Sequence, residues 1–303
     1  MSFEASIIVL TYNCEFEKLK KTLQSILNQE RVSFEIIIAD DGSKDNHAEL
    51  IHAFFETHAF SQYKCVMNQT NQGTVANCLS GVNVAEGEYT KLISPGDYFC
   101  SAHVLRSWID FVKEKRAEWS FSEAQYYDPN STPVKVVSVK ANPQVIQPYI
   151  NRDLDQCRWN YVVLDDIALG ATMLGKTDLQ KAYLKKLHEK GIRFAEDNMF
   201  RLMMFDGVCG EYFPEITINY EYGTGISTGE NSAWKEALLK DWDGTTELMA
   251  EQPEKDSFQV SMIKGIRLRK DTIKKIAIKG IISMWIHRHW KTRMTMCDVS
   301  LLN

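Results

Sequence analysis

What this chain has little of narrows it first. Of its 303 residues, 7 are cysteine, 7 proline and 16 glycine. The cysteines at 14, 65, 78, 100, 157, 209 and 297 are scattered, with no C-x-x-C pair and no histidine at zinc spacing. That argues against a disulfide scaffold and a structural zinc site, and the thiols read as reduced groups of core or surface. Long apolar runs are missing from the start of the chain, where residues 1–13 hold an acid, Glu4, and one short apolar stretch at 7–10. This is far less than a signal peptide or an anchor needs, so a cytoplasmic location is expected. No excess of positive charge exists, the formal net charge being -5, which argues against general nucleic-acid binding. No internal repeat or low-complexity tract is visible. Thr11-Tyr12-Asn13-Cys14 stands where a dinucleotide dehydrogenase would carry G-x-G-x-x-G, and no G-x-x-x-x-G-K-[ST] phosphate loop occurs anywhere.

What is there is an ordinary globular composition, 44% hydrophobic and 25% charged, enough for one large core and an appendage. Short apolar runs at 6–10, 34–39, 63–67 and 89–93 alternate with helical patterns at 16–29, 73–85 and 101–115. Asp45 is placed to cap a further helix reaching Thr57. This alternation predicts an α/β fold, a doubly wound, mostly parallel sheet with crossover helices. In open sheets of this kind ligands bind outside the carboxyl ends of the strands. Thr11, Tyr12 and Asn13, the pair Asp40-Asp41, and Asp97 all fall there. A strand is expected at 119–123, then a loop-rich stretch marked by Pro129, Pro133, Pro143 and Pro148. Helices at 176–189 and 197–205 flank Phe194-Ala195-Glu196-Asp197. Taken singly, Asp41-Gly42-Ser43 is a common turn and Asp197 is a helix cap.

The ordered blocks are more specific than any one of them. Residues 6–13 (SIIVLTYN), 36–43 (IIIADDGS), Asn71-Gln72-Gly73 and 85–89 (AEGEY), then Ala195-Glu196-Asp197 and Gly225-Ile226-Ser227, resemble family 2 glycosyltransferases with the GT-A fold, a Rossmann-like nucleotide-binding domain with a mostly parallel mixed sheet. The resemblance covers roughly residues 6–228. It implies that Leu10, Thr11, Tyr12 and Asn13 cradle a nucleotide base, that Asp41 accepts from a uracil ring, and that Asp40 supports the strand end. Asn71, Gly73 and Asn77 would border the nucleotide, although Cys78-Leu79 stands where many relatives have Arg-Asn. Glu196 and Asp197 match the family's acid pair, with Asp197 taking the proton from the acceptor hydroxyl in a single inverting displacement. Tyr220-Glu221-Tyr222 and Gly225, Ile226 and Ser227 would form a flexible segment folding over the donor. One departure concerns the cofactor, because Ser94-Pro95-Gly96-Asp97 stands where the family carries an Asp-x-Asp-Asp run for Mg²⁺ or Mn²⁺. Gly96 takes the usual ligand position, leaving Asp97 to hold the metal with water or a distant carboxylate.

The division expected is residues 1–230 for the catalytic domain, 1–100 binding the nucleotide-sugar donor and 101–230 the acceptor, with 231–303 a helical C-terminal region. Between residues 261 and 293 ten Lys and Arg face a single acid, Asp271, interleaved with isoleucines and two tryptophans as in a basic amphipathic helix. That tail is too rich in lysine to span a bilayer but suited to an anionic membrane surface. The expected partners are a nucleotide-sugar, a lipid-linked or glycan acceptor such as a capsule or O-antigen intermediate, and the inner membrane face. A non-catalytic sugar-nucleotide or glycan-binding protein with a degenerate metal site is the alternative. A nucleotidyltransferase would need a glycine-rich loop with a basic residue after strand one, which is absent.

Overall fold

Continuous runs of Ile and Val cannot alternate between core and water, so strands built from them must be covered on both faces. The computed structural model, which describes residues 3–131, 134–140, 143–164, 166–223 and 232–251, meets that demand. Strands β1 (Ala5–Thr11), β2 (Phe34–Asp40), β3 (Tyr63–Met67) and β4 (Tyr89–Ile93) form a parallel sheet in the order β3-β2-β1-β4. Ile7, Val9, Ile36 and Ile38 point to one face, packed by α1 (Phe16–Leu27), α2 (Ala48–Thr57) and α4 (Val104–Lys115). Ile8, Ile37 and Ala39 point to the other, packed by α3 (Thr74–Asn83), α7 (Thr177–Glu189) and α8 (Asn198–Phe205).

The sheet then turns mixed. Strand β8 (Met173–Lys176) pairs antiparallel with β4 and with β6 (Trp119–Asp128), while β9 (Glu211–Glu221) runs parallel to β6. Strand β5 (Tyr98–Phe99), directly after Asp97, pairs antiparallel with β9 so that Tyr98 faces Asn219. Strand β7 (Lys135–Lys140) pairs with β6, and α5 (Gln147–Ile150) and α6 (Leu154–Leu164) follow. Helix α9 (Ser232–Ala250), placed by the sequence in a separate C-terminal region, packs against α8.

Several expectations change. The helix expected to be capped by Asp45 begins at Ala48, because Asp45 and Asn46 instead accept the N–H groups of His47 and Ala48 in local turns. The helix expected from Ser101 begins at Val104. The strand expected at 119–123 runs on to Asp128, and the stretch expected to be loop-rich carries β7, α5 and α6. Tyr220 and Glu221, expected in a flexible segment, end strand β9 with Glu221 buried. Gly225, Ile226 and Ser227, and the basic stretch 261–293, lie outside the described residues. No described helix is long and apolar enough to cross a membrane.

Candidate active site

The ends of β1 and β2 are laced together by their polar residues. Thr11 donates its hydroxyl to Asp40 at 2.9 Å, and Asp40 also accepts the N–H and hydroxyl of Ser43 at 2.8 and 2.6 Å. Asn13, at φ 46°, donates its N–H to Ser43 Oγ at 2.7 Å and accepts from the Lys44 N–H. Asp40 thus supports the strand end, leaving Tyr12 47% exposed beside it. Such a ring offers a flat apolar surface for a base.

Asp41 does something the sequence did not assign. It is 4% exposed, and its carboxylate accepts the N–H groups of Gln72 and Gly73 at 2.9 and 2.8 Å. The carboxylate expected to read the base therefore builds the loop beside it. Asn77 is buried too, and donates to the Ala39 carbonyl at 2.8 Å, bracing β2 from behind. Arg193, absent from the expected set, donates to the Asn71 carbonyl and side chain at 3.1 and 3.0 Å. It ties the nucleotide-side loop to the segment preceding the acid pair.

A cavity of about 500 Å³ opens at the carboxyl end of β4. It is lined by Leu10, Thr74, residues 92–95, the turn 167–171, Phe194 to Asp197, and Leu238 and Trp242 of α9. Two stretches of its wall carry charge: Asp97 with Glu221, which share a hydrogen bond, and Glu196 with Asp197 and Arg201. The cavity thus joins the expected metal position to the expected base.

At the first stretch, Asp97 is 6% exposed and accepts the Glu221 N–H at 3.0 Å. Burial pushes its carboxyl up to about 7, against the pull of that N–H and of Lys91. Lys91 is itself buried, donates to the Ala171 carbonyl at 2.7 Å, and is lowered to about 7 by burial. Gly96 sits at φ 103°, and a Cβ there would lie 2.6 Å from Glu221 Oε2. The Glu221 carboxylate thus fills the space a side chain at 96 would enter. Its Oε1 pairs with Lys18 at 2.7 Å, and the Tyr127 hydroxyl, which donates to the Gly96 carbonyl at 2.5 Å, lies 3.3 Å from Oε2. Two carboxylates on one wall fit an oxygen-seeking divalent ion, for which Mg²⁺ commonly takes one or two protein carboxylates and completes its shell with phosphates and water. Among the described residues no group of three or more His, Cys, Asp or Glu is arranged as a metal cage. The sequence held the signal for Glu221 in the alternating run ITINYE, which reads as a strand rather than a loop.

At the second stretch, Asp197 precedes α8 but makes no side-chain cap. Its carboxylate instead pairs with Arg201, one turn on, at 2.9 Å, so the simple capping role is not what the residue does. Glu196 is partly exposed, and desolvation followed by the neighbouring Asp197 charge pushes its carboxyl up to about 8. Glu196 therefore gives up its proton less readily than an ordinary carboxyl, beside a neighbour that is paired to arginine.

The family profile of Glycosyl transferase family 2 matches residues 6–174. Glycosyltransferase GlyG of Streptococcus pneumoniae is 31% identical over 129 residues, 42% of this chain and 41% of the relative. Poly(ribitol-phosphate) beta-glucosyltransferase of Bacillus spizizenii is 26% identical over 65% of this chain and 28% of the relative. The chain thus spans under half the length of either. Among solved structures, S. aureus TarS 1-349 in complex with UDP-GlcNAc superposes with a TM-score of 0.56 at 17% identity, over 91% of this chain and 78% of that one. Mannosyltransferase PcManGT from Pyrobaculum calidifontis, in complex with GDP-Man and Mn²⁺, gives 0.57 at 12%, over 96% and 77%. These structures share the GT-A fold of this chain, and with the profile covering more than half of its residues, the chain belongs to Glycosyl transferase family 2.

Proposed function

We propose that this protein transfers a sugar from a nucleotide-sugar, with UDP as the nucleotide, to a lipid-linked or cell-surface glycan acceptor with inversion. The observation that carries the reading is the single cavity joining Asp97 and Glu221 to Asp197. The similar TarS structure holds UDP-GlcNAc, and the curated relatives include polysaccharide and poly(ribitol-phosphate) glycosyltransferases; both support a UDP donor and an envelope polymer.

The base would rest against Tyr12, in the frame that Thr11, Asp40 and Asp41 hold rigid. Asp97 and Glu221 would hold Mg²⁺ or Mn²⁺, the latter present in the PcManGT complex. When bound, such an ion neutralises the diphosphate as it departs. In the same cavity Asp197 takes the proton from the acceptor hydroxyl. A sugar hydroxyl is a poor nucleophile, and a positioned carboxylate contributes roughly 10²- to 10⁴-fold by removing its proton as the bond forms. Arg201 orients Asp197 through their ion pair, while Glu196, its carboxyl raised by desolvation, gives up its proton less readily. Leu238 and Trp242, which line the same cavity, offer an apolar and aromatic face for an acceptor sugar.

The test is nucleotide release from a panel of UDP-, GDP- and dTDP-sugars with Mn²⁺ present. Release from a UDP-sugar is expected, and Asp197→Asn should abolish it while UDP binding by calorimetry stays near wild type. An Asp197→Asn enzyme that keeps most of its turnover removes the base assignment. Binding of UDP without release from any donor, with lipid-linked acceptors supplied, would favour a sugar-nucleotide-binding protein.

A further inference from the structure

Helix α9 carries Asp241, 4% exposed, against the back of the acid-pair loop. Its Oδ1 accepts the N–H of Arg193 at 3.1 Å, and its Oδ2 accepts those of Phe194 and Ala195 at 2.6 and 3.1 Å. Three consecutive backbone N–H groups converging on one carboxylate form a small anion-binding nest, and charge-assisted bonds of this kind are shorter and stronger than neutral ones. The next two residues are Glu196 and Asp197. One turn further along α9, Thr245 donates to the Asp241 carbonyl at 2.8 Å and accepts from Asn198 Nδ2 at 2.7 Å. The acid pair is therefore bracketed from one helix, by Asp241 before it and Thr245 after it. Trp234 adds an edge-to-face contact with Phe194, centroids 5.1 Å apart.

Asp241 is distant in sequence from the loop it binds, and buried carboxylates are costly unless their charge is used. Here the carboxylate accepts three backbone N–H groups. A loop that must present Asp197 at a fixed angle needs such an external frame, because a displacement of about 1 Å at a reacting group can cost on the order of 10²-fold in rate.

We propose that Asp241 is a positioning residue for the acid pair, its carboxylate holding residues 193–195 so that Asp197 faces the acceptor hydroxyl. The inference rests on the glycosyltransferase reading of the cavity. It makes α9 part of the catalytic apparatus, although Asp241 itself is assigned no contact with substrate.

The test compares Asp241→Ala and Asp241→Asn in the full chain. Three quantities are read: hydrolysis of the UDP-sugar that wild type turns over, UDP affinity by calorimetry, and amide hydrogen exchange at 193–198. Asp241→Ala should lower kcat on the order of 100-fold, leave donor KM and UDP affinity unchanged, and speed exchange at 193–198 only. Asp241→Asn, whose Oδ1 still accepts an N–H, should recover part of kcat. Wild-type kcat in Asp241→Ala overturns the proposal, as does loss of kcat and UDP affinity together with exchange rising throughout the chain. A wild-type protein that fails to bind UDP overturns the donor reading instead; the clamp is then decided by exchange, and unchanged protection at 193–198 in Asp241→Ala overturns it.

Discussion

At the scale of single residues, the most informative pair is Gly96 and Glu221. A glycine in a metal-binding run reads as a lost ligand, yet a carboxylate from another strand, that of Glu221, lies beside it. Any side chain at 96 would collide with Glu221 Oε2 at 2.6 Å, and the backbone there has φ 103°, so the two arrangements exclude each other. Lys18, 2.7 Å from the same carboxylate, is the natural competitor of a bound ion. If Glu221 is a ligand, Glu221→Gln should weaken Mn²⁺ binding in the presence of UDP by on the order of tenfold or more, the scale on which metal sites respond to altered ligation. Lys18→Met should move it the other way by removing the competing ammonium. Paramagnetic titration of free Mn²⁺ measures both, and unchanged binding in Glu221→Gln would remove that residue from the site.

At the scale of elements, the N-terminus of α3 is where the donor side meets the catalytic side. Gly73 precedes it at φ 98°, and a Cβ there would lie 2.3 Å from Arg193 Cγ and 2.6 Å from the Arg193 carbonyl oxygen. That carbonyl accepts the Val75 N–H at 3.0 Å. Gly73→Ala should therefore cost about 1–3 kcal/mol for the forced backbone conformation and also push the 193–195 loop off its seat. Urea unfolding measures the first effect and donor turnover the second; a variant matching wild type in both would show that the junction yields freely. The same elements show what the sequence could reveal. Strands β1 and β2 were legible because strands buried on both faces read as nearly continuous apolar runs between turn residues. Strand β6 was cut short because it buries polar side chains: Ser122 and Gln125 are satisfied by Thr217 and Asn219 of β9, and such cross-strand pairs erase the apolar period. The acid pair and the β1–β2 rim were visible as local motifs. Arg193 and Asp241 were not, since each acts on a partner fixed by tertiary packing rather than by spacing in the chain.

At the scale of the whole molecule, the cavity gathers its walls from β4, β9, the acid-pair loop and α9, so residues far apart in the chain meet in one chamber. Residues 261–293 concentrate ten basic side chains, and polybasic segments near an anionic surface contribute about 1 kcal/mol per Lys or Arg. We therefore expect the full chain to sediment with phosphatidylserine vesicles and not with neutral ones, with binding that fades as salt rises. Equal partition to both vesicle types would separate the tail from any membrane role. The hydrogen bond from the Glu221 N–H to Asp97 spans 124 positions in the chain, whereas β1 to β4 complete their pairing by residue 93. Contacts so far apart in sequence form late, because the intervening chain must be ordered first. During synthesis the β1–β2 rim can thus take shape while the cavity wall at Asp97 waits for β9 to leave the ribosome. On the proposed reading, a half-made chain has a place for the base before it has any means of acting on the bond beyond it.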